Sequence, residues 1–439
     1  MKTLLISILL GVIAIVTSQR GKGQSFSSND FQNLNVNRTI DLTNQIVTIK
    51  TKVLIRNMKI DPIDTYRLTL LKNYTSNLLH LEAKMTSTEE ESTIIKLKIH
   101  KQQRTNEEFV YYDLTFRGEQ MNFEEERVLV ITEYYSEQFE LLPRQIALLD
   151  DQYAVYNGLS NYISFYETKT QVTKVKLPVT KNQILEYTKL NAALDGDKLF
   201  YRILDPVEPL KSFFFRVHYE CNFSLSTFNN AEKIFEVSHW GNIAVEERFQ
   251  IENVGAKLVG EFGRVDYDDQ GRRGGKNSLR NLNARLPLRA NNLWYRDEIG
   301  NVSSSRAARE WDDVRLDLEL RFPLLGGWKT KFNTGYNLPT KFHVNVDNAG
   351  YYRLNLTFGL PFEDVLSKNY TVKVILPEHA VISKVNLNIE SSFSVSYEKS
   401  YSFLDFFGRT TVEITMNNVF DIHKIPFEVR FYLFCFNCR

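Results

Sequence analysis

The feature that most constrains the fold of this chain is the alternation of apolar and polar residues in short segments. Residues 314–321, for example, read Val-Arg-Leu-Asp-Leu-Glu-Leu-Arg. Successive side chains of a strand point to opposite faces, so this pattern predicts strands with one face on a core and the other in water. The same pattern recurs at 47–55, 95–100, 352–358, 372–376 and 427–433. The chain is therefore predicted to be mainly β, with antiparallel sheets.

Length and composition extend this prediction to two domains. A chain of 439 residues is too long for one hydrophobic core, and its 30 Phe and 22 Tyr favour strands. We expect two β-sandwich-like domains at 19–228 and 229–439, divided near Thr227-Phe228-Asn229-Asn230. Short helices are predicted at 278–285, where Ser278 is a potential N-cap, and at 182–193.

The first eighteen residues have the layout of a signal peptide. Lys2 precedes an apolar stretch from Leu4 to Val16, and small residues follow at Thr17 and Ser18. The stretch is too short to span a bilayer comfortably. The mature chain is therefore expected to begin near Gln19 and to enter the lumen of the secretory pathway.

Charge and cysteine content exclude other classes of protein. The formal net charge of +1 gives no electrostatic reason to expect nucleic acid as a partner. After the signal peptide, no stretch has the eighteen apolar residues of a membrane span. The three cysteines, Cys221, Cys435 and Cys438, are too few for a disulfide-built scaffold.

The sequence offers little catalytic machinery. It has no His-Glu-x-x-His motif, phosphate-binding glycine loop or Gly-x-Ser-x-Gly elbow, and its seven histidines are scattered. Two Asp-x-Asp triplets, at 195–197 and 266–268, resemble the metal-binding pairs of sugar-nucleotide transferases, but both lie in turn-like sequence. We therefore predict no catalytic residues, no metal site and no cofactor.

Potential glycan acceptors are the remaining chemical signal. In a secreted chain, Asn-x-Ser/Thr marks surface positions at which a glycan can be attached. Such sequons begin at Asn301, Asn355, Asn369, Asn37, Asn73 and Asn222. Asn355 has further support, because it is predicted to lie on the polar face of its strand, between Leu354 and Leu356.

Sequence blocks in the second half carry a resemblance to a known family. The three longest are His-Trp-Gly-Asn-Ile-Ala-Val-Glu-Glu at 239–247, Tyr-Arg-Asp-Glu-Ile-Gly-Asn-Val-Ser at 295–303 and Arg-Phe-Pro-Leu-Leu-Gly-Gly-Trp-Lys-Thr at 321–330. Shorter blocks lie at 335–339, 374–378 and 405–409, and the best local similarity in the first half lies at 38–42. In order and spacing these blocks resemble ribophorin I, a subunit of the eukaryotic oligosaccharyltransferase complex.

The resemblance implies a function. The complex lies in the endoplasmic reticulum and transfers a preassembled oligosaccharide from dolichol diphosphate to Asn of Asn-x-Ser/Thr in nascent chains. In that family catalysis belongs to a different, multi-spanning subunit, whose Trp-Trp-Asp-Tyr-Gly motif is absent from this chain. The implied role is accessory: the luminal domains stabilise the complex and steer acceptor polypeptides. The implied partners are the other subunits, nascent chains and the translocon, and a glycan is implied on Asn301.

The chain departs from the family at its C-terminus. Family members continue into a single membrane helix and a cytosolic tail, whereas this sequence stops at Arg439 after an apolar run at 431–436. We expect a truncated form of a membrane-anchored, luminal subunit. The alternative is a soluble version held only by luminal contacts.

Two other functions remain as hypotheses. The first is a free luminal β-sandwich protein that binds peptide or glycan, and the second is an enzyme based on the Asp-x-Asp triplets. The glycine and tryptophan residues of the blocks also allow two interpretations. Gly326, Gly327, Trp240 and Trp328 are expected to form corners and core contacts, with a docking surface for other subunits as the alternative.

Overall fold

A computed structural model describes residues 26–87, 94–102, 108–116, 118–179, 181–265, 267–268, 278–403 and 405–433. The predicted signal peptide, Asp266, Cys435 and Cys438 lie outside these residues. Helical structure includes one short helix, Lys72–Thr75, and the 3₁₀ turns Lys181–Gln183, Thr340–Phe342 and Asp421–His423. The strands of the first half are β1 (Phe31–Asp41), β2 (Val47–Asn57), β3 (Thr65–Leu71), β4 (Leu78–Ser87), β5 (Ile94–Lys96), β6 (Lys98–Lys101), β7 (Phe109–Thr115), β8 (Glu126–Tyr135), β9 (Phe139–Leu141), β10 (Gln145–Ile146), β11 (Tyr153–Leu159), β12 (Thr168–Lys176), β13 (Ile184–Tyr187), β14 (Ala192–Asp195), β15 (Lys198–Ile203) and β16 (Phe214–Glu220). The strands of the second half are β17 (Ser226–Val237), β18 (Asn242–Asn253), β19 (Lys257–Leu258), β20 (Leu279–Pro287), β21 (Asn291–Asp297), β22 (Arg306–Arg309), β23 (Asp313–Leu324), β24 (Lys329–Pro339), β25 (Val344–Val346), β26 (Tyr352–Thr357), β27 (Leu366–Glu378), β28 (Ala380–Leu387), β29 (Phe393–Ser400), β30 (Arg409–Val419) and β31 (Pro426–Leu433).

The mainly β prediction is confirmed, and the alternating segments are strands. Residues 314–321 lie in β23, where Val314, Leu316, Leu318 and Leu320 are buried. The segment 95–100 is divided between β5 and β6, which belong to different sheets and are separated by the buried Leu97. The alternation therefore located the strands correctly, although it did not show this change of sheet.

The helix predicted at 278–285 is wrong, because these residues enter β20. The pairing of β20 with β23 shifts register between Leu279 and Asn281. This irregularity brings Leu279 and Leu282 to the same buried face although they are three residues apart. The register shift, in which residues 319–324 of β23 oppose 279–281 of β20, thus accompanies a spacing that is typical of a helix.

The helix predicted at 182–193 is also wrong. The segment contains the end of a 3₁₀ turn, β13, a turn with Asn191 at φ 48°, and the start of β14. Leu, Glu, Lys and Ala favour a helix locally. Pairing of β13 with β16 and of β14 with β15 overrides that preference, because propensity is a weak term beside tertiary pairing.

In the first half, one large sheet packs against two smaller ones. The large sheet has the order β14-β15-β12-β1-β2-β8-β4-β5, and the smaller sheets are β13-β16-β11-β9 and β3-β7-β6. One core, which includes Tyr66 and Leu129, lies between the large sheet and β3-β7-β6. A second core, which includes Tyr156 and Tyr201, lies under the four-stranded sheet.

The second half has the same arrangement around one continuous core. Its large sheet has the order β21-β24-β18-β17-β27-β30-β29, and its smaller sheets are β20-β23-β22 and β25-β26-β31-β28. Phe228, Phe249, Phe332 and Phe362 contact one another in this core, with ring centroids 5.0–6.3 Å apart. Most of the sheet pairings are antiparallel, but β1 pairs with β12 and β17 with β27 in parallel.

The two halves share one strand order. Replacing β1, β2, β4, β8, β12, β14 and β15 by β17, β18, β21, β24, β27, β29 and β30 converts the first large sheet into the second, apart from the edge strand β5. The smaller sheets match in the same way, with β3-β7-β6 corresponding to β20-β23-β22 and β13-β16-β11-β9 to β28-β31-β26-β25. The fold is therefore an internal duplication, which the sequence analysis did not predict.

Matching details support the duplication. Asn57 ends β2 and Asn253 ends β18, and both are fully buried. The side-chain amide of each donates to a carbonyl oxygen, of Met121 and Leu324 respectively, at 2.8 Å. The backbone carbonyl of each asparagine accepts a hydrogen bond from the amide of a residue with positive φ. These residues are Glu124 at φ 59° and Gly327 at φ 84°.

The halves join head to tail. The turn between β1 and β2, at one end of the first large sheet, contacts the opposite end of the second. Asn44 donates to the Asp364 carboxylate at 2.8 Å, and Gln45 donates to the Asp364 carbonyl at 2.9 Å and accepts from the Ser226 amide at 3.0 Å. The parallel pair β10-β19 adds backbone hydrogen bonds across the junction.

The predicted boundary between 228 and 229 falls inside β17, which starts at Ser226. The division into two separate domains stays a prediction. Among the described residues, no helix has the length and apolar character needed to cross a membrane.

Candidate functional site

The loop around Asn301 brings two of the sequence blocks together. Arg321 of β23 forms an ion pair with Asp297 and donates to the carbonyl oxygens of Gly300 at 3.3 Å and Asn301 at 3.2 Å. The Asp297 carboxylate also accepts from the backbone amides of Ile299 and Gly300, at 3.0 and 2.9 Å. Hydrogen bonding to Arg321 lowers the pKa of Asp297, so this clamp is ionised at neutral pH. The Asn301 loop therefore has a fixed backbone.

All six sequon asparagines are exposed. Asn355 lies in β26 between the buried Leu354 and Leu356, which confirms its predicted place on the polar face. Two of the six already donate through the side-chain nitrogen that a glycan would occupy, Asn222 to the Pro178 carbonyl and Asn369 to the Asn230 side chain. The other sequon asparagines are Asn37 in β1, Asn73 in the short helix, Asn301 and Asn355.

The third block forms a tight corner. A Cβ atom on Gly326 would lie 1.8 Å from the Ala256 carbonyl oxygen, so only glycine fits there. Trp328 is half-buried and packs against Phe262 and Phe322, at centroid distances of 5.9 and 6.4 Å. The expected role as a corner and core contact is confirmed for these residues.

The same expectation is wrong for Trp240, whose side chain is 95% exposed. Trp240 lies in the turn between β17 and β18, and its amide donates to the Ser238 hydroxyl at 3.2 Å. The sequence could not place it, because a tryptophan in a Gly-Asn turn fits a buried corner and a protruding tip equally well.

Other exposed aromatic residues lie at the same end of the second large sheet. We call the set the aromatic edge, and it consists of Trp240, Phe342, Phe403, Phe406 and Phe407. Phe403 and Phe406 are 99% and 90% exposed. Phe342 follows β24, whereas the other three phenylalanines lie between β29 and β30.

Hydrogen bonds and ring contacts fix these turns next to one another. The Thr340 amide donates to the Gly241 carbonyl at 3.0 Å, which ties the Phe342 turn to the Trp240 turn. The Phe407 amide donates to the Glu378 carboxylate at 3.0 Å, and its ring contacts His379 at a centroid distance of 4.8 Å. The aromatic edge thus belongs to one face of the molecule.

A cleft of about 250 Å³ lies at the junction of the two halves. Its lining is mostly apolar and includes Phe139, Leu141, Leu225 and Val254. On its rim, Glu137 forms an ion pair with Lys368 at 2.9 Å. This volume is below that of a typical small-molecule pocket and suits one or two apolar side chains.

Two histidines that are far apart in sequence meet on another side of the junction. The Ser391 hydroxyl lies 3.4 Å from Nδ1 of His80 and 3.3 Å from Nε2 of His423. Burial and the neighbouring His80 lower the pKa of His423 to about 4, and burial lowers the pKa of His80. The amide of Phe420 donates to Nδ1 of His423 at 3.2 Å, so the neutral ring serves as a structural bridge.

The first Asp-x-Asp triplet lies at a turn. Asp195 and Asp197 flank Gly196, at φ 60°, in the turn between β14 and β15, and Asp197 lies 3.6 Å from Lys198. Asp266 lies outside the described residues.

A second acidic group includes Glu310, Asp312 and Asp313 in the turn between β22 and β23. Arg285 lies 2.8 Å from Asp313 and 3.6 Å from Glu310, which makes this group part of an ion-pair network.

The fold and these surfaces define a class: a tandem of two β-sandwich units with exposed sequon asparagines and an aromatic edge. Comparison with known proteins identifies the family. The family model described as Ribophorin I matches residues 31–437, and the chain belongs to this family.

Curated relatives of the chain are named as forms of subunit 1 of one glycosyltransferase. The chain is 34% identical over 291 residues to dolichyl-diphosphooligosaccharide–protein glycosyltransferase subunit 1B of Oryza sativa subsp. japonica, covering 66% of this chain and 61% of the relative. It is 30% identical over 440 residues to subunit 1B of Arabidopsis thaliana, covering 97% and 91%. Subunit 1 of Caenorhabditis elegans is 30% identical over 414 residues, covering 93% and 68%. The match thus spans less than two thirds of the rice relative.

Among solved structures, the M1 zinc metallopeptidase of Deinococcus radiodurans aligns over 47% of this chain and 42% of its own, at 12% identity and a TM-score of 0.25. A likeness this slight carries no argument.

Proposed function

We propose that this protein is an accessory, non-catalytic subunit of the oligosaccharyltransferase complex in the endoplasmic reticulum. The complex transfers a preassembled oligosaccharide from dolichol diphosphate to Asn of Asn-x-Ser/Thr in nascent polypeptides, and catalysis belongs to its multi-spanning subunit. The observation that carries the proposal is the family match over residues 31–437, with relatives named as subunit 1 of that enzyme.

The structure supports a scaffold role. The large pKa shifts in the described residues are mainly increases at core tyrosines such as Tyr135, Tyr336 and Tyr370. Burial is the largest cause of each increase. His80 and His423 bridge the two halves. Fixed sheets joined head to tail present surfaces at constant distances from one another, which suits a subunit that positions other proteins.

Purification in mild detergent tests membership of the complex. The endogenous protein is expected to be recovered with the multi-spanning catalytic subunit, and mass spectrometry of both identifies the complex and the C-terminus of this chain. Recovery alone, from the soluble luminal fraction, contradicts the proposal and supports a free luminal binding protein instead.

The junction cleft is the proposed contact for acceptor polypeptides. Its size and mostly apolar lining suit the apolar side chains of an extended segment. Val254 lines the cleft and is 42% exposed, whereas Val259 is 52% exposed and is not among the lining residues. These two positions provide a matched pair of variants.

Crosslinking of a nascent chain to this subunit distinguishes the pair. Val254→Lys is expected to reduce crosslinking several-fold, because a charged side chain would occupy the apolar cleft, and Val259→Lys is expected to leave it unchanged. Equal crosslinking of both variants would remove the cleft from the acceptor path without affecting membership of the complex.

We also propose Asn301 as the first glycan acceptor of this chain. Its loop is fixed by Asp297 and Arg321, and its side-chain oxygen accepts from Arg296 at 3.1 Å, which leaves the nitrogen facing solvent. Asn355, Asn37 and Asn73 follow, and Asn369 and Asn222 come last because their nitrogens already donate. Loss of one glycan mass in Asn301→Gln, by mass spectrometry with and without glycosidase, checks that Asn301 is an acceptor.

A further inference from the structure

The aromatic edge is an addition to the duplicated fold. In the first half, residues 196 and 197 alone join β14 to β15. At the matching place in the second half, residues 401–408 join β29 to β30, and Phe403, Phe406 and Phe407 belong to this longer connection. The core does not need these rings, since Phe403 and Phe406 are almost completely exposed.

The exposed rings protrude singly from turns. Trp240 is 95% exposed, and it lies on a turn two strands away from Phe403, with β27 between them. Neighbouring strands are about 4.8 Å apart, so these turns emerge about 10 Å from each other. Because the turns lie at the same end of one sheet, a flat surface can contact all of them together.

The charged side chains around the rings differ in their partners. Glu236 and Asp405 pair with Arg409, and Glu378 accepts from the Phe407 amide. In the described part of the chain, Arg289 and Lys341 have no carboxylate partner within ion-pair distance.

These two cations lie beside a ring of the edge. Arg289 is 3.7 Å and Lys341 is 5.0 Å from the ring centroid of Phe342. The edge therefore offers aromatic rings together with positive charge.

We propose that the aromatic edge binds the interfacial region of a lipid bilayer that carries anionic headgroups. Aromatic side chains are favourable at the level of the headgroups, and basic side chains gain from the negative surface potential there. These rings stand out singly and almost fully exposed, so each can enter a fluid interface without a matching pocket.

Vesicle flotation with the mature chain tests the proposal, and it needs no other protein. The probes are phosphatidylcholine vesicles and phosphatidylcholine vesicles with roughly 30% phosphatidylserine. We expect the chain to float with the anionic vesicles and to bind the neutral ones more weakly. Arg289→Gln/Lys341→Gln is expected to remove most of this difference.

Paired variants locate the contact. Phe403→Ser/Phe406→Ser is expected to lower vesicle binding by at least about tenfold, because two exposed rings no longer enter the interface. Ile60→Ser/Leu204→Ser removes two apolar side chains that are 84% and 73% exposed in the first half, and it is expected to bind as the original chain does. Circular dichroism and thermal unfolding establish that both variants are folded.

Fluorescence gives a second readout. Brominated lipids are expected to quench Trp240, and Trp240→Phe is expected to lose most of the quenching while it still floats. The proposal is overturned if the chain floats with neither vesicle, or if the Phe403 and Ile60 double variants bind equally. Unchanged flotation of the Phe403 double variant together with its loss from the glycosyltransferase complex would assign the edge to a protein partner instead.

Discussion

The two halves of this protein use the same end of the same sheet in different ways. In the first half, the turn between β1 and β2 and the side chain of Phe139 lie at the junction with the second half. In the second half, the corresponding turn carries Trp240. Tyr336 of β24 and Glu133 of β8 occupy matching positions, and Phe342 and Phe139 lie the same number of residues after them. One strand order therefore supports either a joint or an exposed surface, and the turn sequences decide between them.

The halves also differ in how they bury a cation. Arg38 of β1 and Lys233 of β17 occupy matching positions, opposite Thr51 and Glu247 on the neighbouring strand. Arg38 donates to the carbonyl oxygens of Leu159 and Asn161, at 2.9 and 2.8 Å. Lys233 pairs with the Glu247 carboxylate at 3.0 Å, and both side chains are buried.

The largest effect is expected from breaking this second arrangement. Glu247→Leu would leave Lys233 buried without a counter-charge, and we expect the free energy of unfolding to fall by about 3–5 kcal/mol. Thr51→Val, at the matching place of the first half, should change it by less than about 1 kcal/mol, because the Thr51 hydroxyl is buried without a hydrogen-bond partner in the described chain. Urea unfolding measures both changes.

The double variant Lys233→Met/Glu247→Leu is the control for this prediction. Removing both charges should restore most of the lost stability, since neither group is then left unpaired. A double variant as unstable as Glu247→Leu would mean that packing around Glu247, and not the unpaired charge of Lys233, is responsible for the loss.

A smaller effect is expected at the junction, where acid should weaken the joint. The pKa of His423 is about 4 in the folded protein and near 6.5 when unfolded, so the unfolded chain binds the proton first as the pH falls. Stability is then fully present above about pH 6.5 and is lost between there and pH 4, by roughly 2–3 kcal/mol at most. His80, Glu82, Lys96 and Glu390 are the other charged or titratable side chains around this site.

Unfolding of His423→Gln across this pH range checks that prediction. The variant should lose less stability between pH 7 and pH 4 than the original chain. His239→Gln, at an exposed histidine, should follow the original pH dependence. Parallel curves for His423→Gln and the original chain would show that other groups cause the acid sensitivity.

The smallest expected effect concerns the matched positive-φ positions. Glu124 has φ 59° where the second half has Gly327 at φ 84°. Glu124→Gly should stabilise the protein by about 0.5 kcal/mol, since a left-handed conformation costs a non-glycine residue more than glycine's extra chain entropy. Gly327→Ala should destabilise it by about 1 kcal/mol. Opposite signs in thermal unfolding would argue against equivalence of the two corners.

The sequence predicted the strands well, because alternation directly reports which face of a strand is buried. It failed where a register shift altered that period, as at Leu279 and Leu282, and where short exposed strands had helix-favouring residues, as in β13 and β14. Local pattern carries no information about which strands pair, and pairing decided both cases.

Duplication was hidden for a related reason. The repeated feature is strand order, and matched residues such as Arg38 and Lys233 keep burial and charge without keeping identity. The exposed surfaces were harder still to predict. Trp240 and the phenylalanines at 403, 406 and 407 are of residue types that usually lie in a core, and only their positions on turns at one end of a sheet distinguish them from core residues. The fixed loop at Asn301 could not be predicted from the sequence either, because Arg321 comes from a distant strand.

The closure of the sheets within each half has a consequence for biosynthesis. Among the described residues, the strands of the first half other than β10 pair only with strands between Phe31 and Glu220. A chain delivered from its N-terminus can therefore complete this unit before residues beyond 226 arrive, as multidomain chains generally do. Gln145 and Ile146 must then wait for Lys257 and Leu258, so this part of the joint forms only after the sheets of the first half can close.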